Sequence, residues 1–286
     1  GSTFSSCGSL SSVTIGGNVT SIGEYAFSEC ANLTSIDLPN TLTSIGRSAF
    51  QGCDKLSFLV IPEGVTSLGT QAFSGCEGLT SVTIPSTITS WGCNVFFQIG
   101  VTSITFAEGL KTVGVEQDFG QCSNLTSVVI PEGVTSIGNF TFSMCGKLAY
   151  VELPNSLTSI GAEAFADCSS LEKVVSHIQE PFAINNFMWG QDRPAFGYYS
   201  RSVDGELVYV APTATLYVPA GTKAKYETTD GWKEFPNIVE MDETGVNDVR
   251  SKRSEVRDDI YNLNGQRVNT PKRGLYILNG KKVVKR

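Results

Sequence analysis

The chain has 286 residues, 41% of them apolar, and a formal net charge of −7. That apolar share suits a continuous core and excludes a disordered polymer, while the lack of any run of 18 apolar residues excludes a single membrane-crossing helix. Charge is divided: residues 1–247 hold 10 Lys and Arg against 24 Asp and Glu, and residues 248–286 hold 11 against 4. The acidic body argues against sequence-independent nucleic-acid binding, and the basic tail reads as a separate module. The opening GSTFSS has neither a charged n-region nor an apolar h-region, so export implies a leader already removed.

Phe recurs at 4, 27, 50, 73, 96, 119, 142 and 165, always 23 residues apart. A fixed period in the twenties predicts a solenoid whose rungs bury their apolar sides against one another. The unit is clearest at residues 33–53, LTSIDLPNTLTSIGRSAFQGC. Leu33-x-x-Ile36-x-Leu38 predicts an extended segment that Pro39 ends by removing a ladder donor. LTSIG predicts a second short strand turning at Gly46, and RSAFQGC, too short for a stable helix, predicts one helical turn. Eight such rungs, stacked as a parallel sheet at ~4.8 Å each, would extend roughly 35–40 Å. The expected fold class is therefore mostly β with short helical turns, a right-handed leucine-rich-repeat solenoid over residues 1–175. One rung slips: a residue is lost after Phe96 and another is gained after Val113. This reads as a repaired insertion and deletion in a tolerant turn, or as a bulge that shapes a contact.

Seven cysteines (7, 30, 53, 76, 122, 145 and 168) share one repeat position, with Ile99 standing where the missing member would be and Cys93 off register. Equivalent side chains in a stack point inward in parallel, and Ile99 shows that the site accepts an apolar filler. Buried free thiols are therefore expected in place of disulfides, and a 23-residue ladder gives no metal-ligand spacing. The one histidine, His177, reads as a loop or capping residue, and no nucleophile elbow, phosphate loop, dinucleotide fingerprint or calcium loop is present. No catalytic, cofactor or metal residue is assigned.

The outward strand positions are mostly small and polar, as in Ser12/Thr14, Ser35/Asp37, Ser81/Thr83 and Ser103/Thr105. Phe58/Val60, Ser127/Val129 and Tyr150/Glu152 depart from this. Aromatic side chains on a rigid sheet are candidates for protein contact, because they bring large area at low entropic cost. The candidate protein-binding residues are Asp37, Phe58, Val60, Thr83, Val129, Tyr150 and Glu152. Scattered surface apolar residues are the plain alternative.

Residues 176–241, rich in aromatics (Phe182, Phe187, Trp189, Phe196, Tyr198, Tyr199), are expected to cap the solenoid. Strands at 206–211 and 214–219, a short helix at 224–228 and a terminal strand through Ile238 and Val239 are predicted there. Residues 242–257 read as a linker. In 258–286, DIYNLNGQRV and GLYILNGKKVVKR each place Asn-Gly between alternating apolar residues, predicting two hairpins in a small β tail.

The unit LTSIxLPxxLTSIGxxAFxxC resembles BspA-like leucine-rich repeats of bacterial surface proteins. The stretch TLYVPAGTKAKYETTDGWKEFPNIVEM is similar to the segment that closes such arrays. The C-terminal hairpins resemble the sorting tail of type IX secretion substrates. The resemblance implies a non-enzymatic, exported or surface-attached bacterial protein, adhesin-like, that binds host or matrix proteins such as fibronectin or fibrinogen. It supplies no contact residues. The alternative is a carbohydrate-binding accessory protein of a glycan-using bacterium, with the aromatics at 187–199 stacking on sugars.

Overall fold

The computed structural model describes residues 2–188, 190–201, 204 and 207–242, and the strands Ile260–Asn262, Gly274–Leu278 and Lys281–Lys285. The described residues form a solenoid of ten turns. Its main strands are Ser12–Thr14, Ser35–Asp37, Leu59–Val60, Ser81–Ile84, Ser103–Phe106, Ser127–Val129, Tyr150–Leu153, Lys173–Ser176, Thr215–Val218 and Asn237–Glu240. Pairing between rungs is parallel and in register, as in Ser12 with Ser35 and Ser127 with Tyr150. A second parallel ladder runs from Ser21–Ile22 to Ser90–Trp91 and resumes from Thr112–Glu116 to Ser159–Ile160.

Between the ladders lies the core. Ring centroids of successive Phe residues from Phe4 to Phe165 stand 5.2–5.5 Å apart and nearly parallel. Five of these rings, Phe50 through Phe142, are wholly buried. Phe73 illustrates the consequence. Its removal deprives two neighbouring rings of their packing partner in an interior that cannot collapse without breaking register.

The segment expected as a helical turn is a run of β-turns, and the reason lies in its hydrogen bonds. In residues 46–53 the N–H groups of Ala49, Gln51 and Cys53 close three-residue-back turns onto Gly46, Ser48 and Phe50. The alternate groups, Ser48, Phe50 and Gly52, donate instead to Thr70, Ala72 and Ser74 of the next rung at 2.8–2.9 Å. A helix would turn every N–H along its own axis and leave the next rung unpaired. The alternation requires positive φ at two positions per rung, Ser48 (+49°) and Gly52 (+67°) here, and non-glycine residues such as Tyr25 and Gln71 adopt it elsewhere. The glycine after the second strand opens the expected turn and also meets a second need. A Cβ on Gly69 would lie 2.4 Å from the backbone nitrogen of Arg47, so the residue is small because two rungs approach closely there.

The slipped rung is a bulge. The second ladder stops at Trp91, and the pairing of Thr112–Glu116 with Ser136–Asn139 shifts register between Val113 and Glu116. Gly114 takes φ +66° at the extra residue, the usual role of glycine in a bulge. Asp118 stands where four other rungs carry Ala (26, 49, 72 and 164) and its two neighbours carry Val95 and Thr141; it is wholly buried and repairs the lost bonds. Its Oδ2 accepts from the N–H groups of Val115 (2.6 Å) and Glu116 (3.1 Å), and its Oδ1 from that of Val95 (2.9 Å). Burial pushes its carboxyl up to about 6, against the pull of those three donors. Phe96 and Phe119 still stack at 5.2 Å, so the defect does not reach the ladder.

Beyond residue 175 the main sheet continues. Thr215–Val218 pairs with Lys173–Ser176, and Asn237–Glu240 pairs in turn with Thr215–Val218. Ala195–Phe196 repeats Ala164–Phe165 after 31 residues, eight beyond the period, and Phe196 stacks on Phe165 at 4.8 Å. The surplus is the hairpin of Asn185–Met188 with Gln191–Pro194. A second hairpin, Tyr198–Arg201 with Leu207–Val210, follows. Gly197, at φ +83° and with no room for a Cβ against the Val210 carbonyl, starts it. The one α-helix among the described residues, Lys223–Tyr226, brings in Tyr226, and Trp232 and Phe235 close over Phe196. The Tyr226 hydroxyl donates to the Ile178 carbonyl at 2.8 Å and the Trp232 indole N–H to that of Phe182 at 2.9 Å. In the tail, Ile260–Asn262 and Lys281–Lys285 flank Gly274–Leu278 in an antiparallel sheet, so the first tail strand pairs across to residue 278 and not with a local partner. Trp189 and the linker residues 243–257 lie outside the described residues.

Two outcomes test this account. Phe73→Ala should lower stability by about 3–5 kcal/mol in urea unfolding. Asp118→Ala, which strands three N–H groups, should cost about 2–4 kcal/mol. Because the folded carboxyl titrates above its unfolded value, its contribution is full below pH ~4 and fades as pH rises through about 6. The stability gap between wild type and Asp118→Ala should therefore widen as pH falls from about 7 to about 4.

Candidate functional site

Two columns of side chains run down the outer face of the main sheet. Register places Val60 beside Thr83, Val129 beside Glu152, and Tyr150 between Ser127 and Lys173. Asp37 stands in the same column position two rungs before Thr83, beside Thr14. Five of the seven candidates thus share one column, and Phe58 and Tyr150 belong to the adjacent one. All seven lie on the same side of the solenoid, spread over its two-, three- and five-stranded parallel sheets, because strand side chains alternate faces and each Phe returns to the stack.

Their exposure is uneven. Asp37 is exposed, whereas Phe58, Val60, Thr83, Val129 and Tyr150 are half-buried. Glu152 differs from the outward-facing, solvated position expected of it, being 6% exposed. Its Oε2 accepts from the Tyr150 hydroxyl at 2.8 Å, and its Oε1 lies 3.1 Å from His177 Nε2. A carboxylate drawn under its neighbours needs such partners, which is why the sole histidine sits here. The same face continues through Lys173, 23 residues after Tyr150, onto Tyr217 and Val239, which the 23-residue count does not reach. Lys173 Nζ sits 4.3 Å from the Tyr217 ring centroid, and Val239 is exposed. The inserted hairpins hide these rungs from a fixed-period search. The recurring Ala-Phe at 195–196 and the Pro-Ala-Gly at 219–221, matching Pro-Glu-Gly at 62–64 and 131–133, are the signals that reveal them.

The N-terminal half of this face is small and polar, and its larger side chains gather toward the C-terminal rungs. That arrangement offers aromatic area, one buried carboxylate, Glu152, and one cation held over a ring. Such a surface suits contact with another macromolecule. Among the described residues no group of three or more His, Cys, Asp or Glu is placed to hold a metal ion. No described helix is long and apolar enough to cross a membrane.

The cysteines are free, and six are buried. Each of the six donates its thiol to the carbonyl of the preceding rung's Phe, as Cys53 does to Phe27 at 3.2 Å and Cys145 to Phe119 at 3.3 Å. Burial pushes the thiols of Cys122 and Cys168 well above the ordinary range, so they are poor nucleophiles.

The fold and its column of repeats define a leucine-rich-repeat solenoid. The chain belongs to the family of the BspA type leucine rich repeat region, whose model matches six copies over residues 1–117 and 100–182. Among solved structures it is similar to a leucine-rich repeat protein from Bacteroides ovatus. The two are 30% identical, with a TM-score of 0.49, over 60% of this chain and 50% of that one. It is also similar to a Treponema pallidum leucine rich repeat protein (27% identity, TM-score 0.42, 59% of this chain and 68% of that one). A leucine rich cell surface protein from Faecalibacterium prausnitzii is 27% identical, with a TM-score of 0.35, over 59% of this chain and 60% of that one. The chain thus spans half the length of the Bacteroides ovatus protein. No curated protein matches it.

The thiol ladder gives a direct check. In the native protein a thiol reagent such as Ellman's should label only the half-buried Cys7 and Cys93 within minutes, and the six buried thiols should react only on unfolding. Rapid labelling of all eight would show that the ladder is open.

Proposed function

We propose that this chain is a non-enzymatic, exported or cell-surface interaction protein that binds a protein partner, adhesin-like, through the outer face of its main sheet. The observation that supports the reading is the alignment of Asp37, Phe58, Val60, Thr83, Val129, Tyr150 and Glu152 in two adjacent columns along one side of the solenoid. A sheet held by a continuous phenyl stack is a preorganised platform, so binding loses little entropy in ordering it. Lys173, Tyr217 and Val239 enlarge the same surface. The partner class is a protein of the host or of the extracellular matrix, following the family resemblance of the repeats. A C-terminal tail of the sorting type would account for export and surface attachment.

The second reading, binding of a carbohydrate, draws on one observation: Phe187, on the first inserted hairpin, is 75% exposed. An aromatic face so presented can stack on a sugar ring. A glycan array with wild type and Phe187→Ala separates it from the first reading.

The test of the first reading is surface plasmon resonance of the full chain on immobilised matrix proteins, fibronectin and fibrinogen included. Phe58→Ala and Tyr150→Ala should each weaken binding by about tenfold or more with the melting temperature little changed. Unchanged affinity in both folded variants would place the site off this face.

A further inference from the structure

The repeat predicts what should fill each place in the stack, and among the described residues one place is left unfilled. In four interior rungs the Phe, the Cys and the following Leu are wholly buried: Phe50, Cys53 and Leu56, for example, or Phe142, Cys145 and Leu148. In the next rung the same three residues stay buried but are covered less completely, Phe165 at 2%, Cys168 at 8% and Leu171 at 7% exposed. The cause is the departure of the chain at Gly197. The neighbouring rung supplies its Ala-Phe and then leaves for the second hairpin, before reaching the positions that would carry the next Cys and Leu. It returns only at Ala211–Thr213 to enter the strand Thr215–Val218. The gap is a cleft of about 210 Å³, floored by Phe165, Cys168 and Leu171 and walled by Tyr198, Val210 and Pro212.

The backbone is incomplete at the same place. Gly52, Gln121 and Met144 donate their N–H groups to the next rung's carbonyls at 2.8–2.9 Å. Among the described residues no carbonyl accepts from the equivalent N–H of Asp167. The next thiol of the ladder, which would donate to the Phe165 carbonyl, does not exist. The cleft therefore offers an apolar floor shaped for two side chains, one unmatched donor and one acceptor lacking its ladder partner.

We propose that this cleft is a peptide-binding site, in which a turn-forming segment of a partner protein completes the unfinished rung. The segment would carry a small residue and, three positions later, a Leu-sized aliphatic residue, the spacing of Cys145 and Leu148 or of Cys168 and Leu171. Its carbonyl would accept from Asp167 N–H, so that recognition extends the rung-to-rung interface already present along the solenoid. The exposed Asp167 carboxylate, which also lines the cleft, favours a cationic residue beside the two anchors. The site lies on the tandem-turn edge and is independent of the outer sheet face. Insertions in solenoids map to one edge, often the binding one, and both inserted hairpins depart from this edge.

The probe is a fluorescein-labelled peptide copying residues 142–148, FSMCGKL, titrated with the full chain in reducing buffer and followed by fluorescence polarisation. Saturable binding is expected, weakened at least tenfold when the peptide's Leu is replaced by Asp. Ala211→Trp and Thr213→Trp, at exposed positions that line the cleft, should each block uptake at least tenfold while circular dichroism shows an unchanged melting temperature. Equal uptake by wild type and by either folded variant would overturn the proposal. So would a lack of saturable binding up to about 1 mM, where even weak specific contacts register. Neither result bears on matrix-protein binding by the sheet face, so the two readings fail separately.

Discussion

The stack of phenyl rings is the constraint to which the rest of the molecule answers. A ring at 5.2–5.5 Å from its neighbours cannot shift along the chain without uncovering two others. Every rung must therefore return its Phe to the same place, whatever happens between. Rung length can vary only where the variation is absorbed locally. The bulge at Gly114 absorbs one residue, and the hairpin between Ile184 and Ala195 absorbs eight. In both cases the next Phe still lands on the stack. The bulge needs Asp118, because an extra residue frees N–H groups that have no partner in the neighbouring rung. The hairpin needs no such device, since its strands pair with each other.

The same constraint assigns most of the polar residues to structure. Thr43, Thr66 and Thr89 donate their hydroxyls to the carbonyls of Thr20, Thr43 and Thr66, one rung back. Thr34 and Ser57 do likewise on the main-strand side. The recurring Thr-Ser is thus a device for closing rung-to-rung bonds at strand ends, and a partner would meet it as scaffold. This shifts the weight of recognition onto positions that break the pattern, where a repeat has no structural reason to place Phe58, Tyr150 or Tyr217.

The period made the solenoid, its two ladders and its buried thiols legible, because each depends on one residue repeated at one spacing. Three things lay beyond a fixed count. The turn geometry of RSAFQGC depends on bonds to the next rung, which a single unit does not display. The burial of Glu152 depends on Tyr150 and His177, which come from different rungs. The last two main strands are displaced by insertions, so Tyr217 and Val239 join the candidate face only once Phe196 is seen on the stack. In each case the missing term is a contact that a single repeat unit does not display.

A solenoid that ends must hide its last apolar rung, and this one does so with unequal care. On the sheet side, strands continue to Asn237–Glu240, and on the core side Tyr226, Trp232 and Phe235 shut off Phe196. On the turn edge the covering is unfinished. There the chain spends its extra residues on two hairpins that project outward instead of filling the slot above Cys168 and Leu171. A cap built for stability alone would place a Leu-sized side chain there, gaining about 1.5–3 kcal/mol from its burial. Leaving the slot open while supplying aromatic walls from Tyr198 and the hairpin base is the arrangement of a site, with the stability it forgoes held available for a partner's side chain.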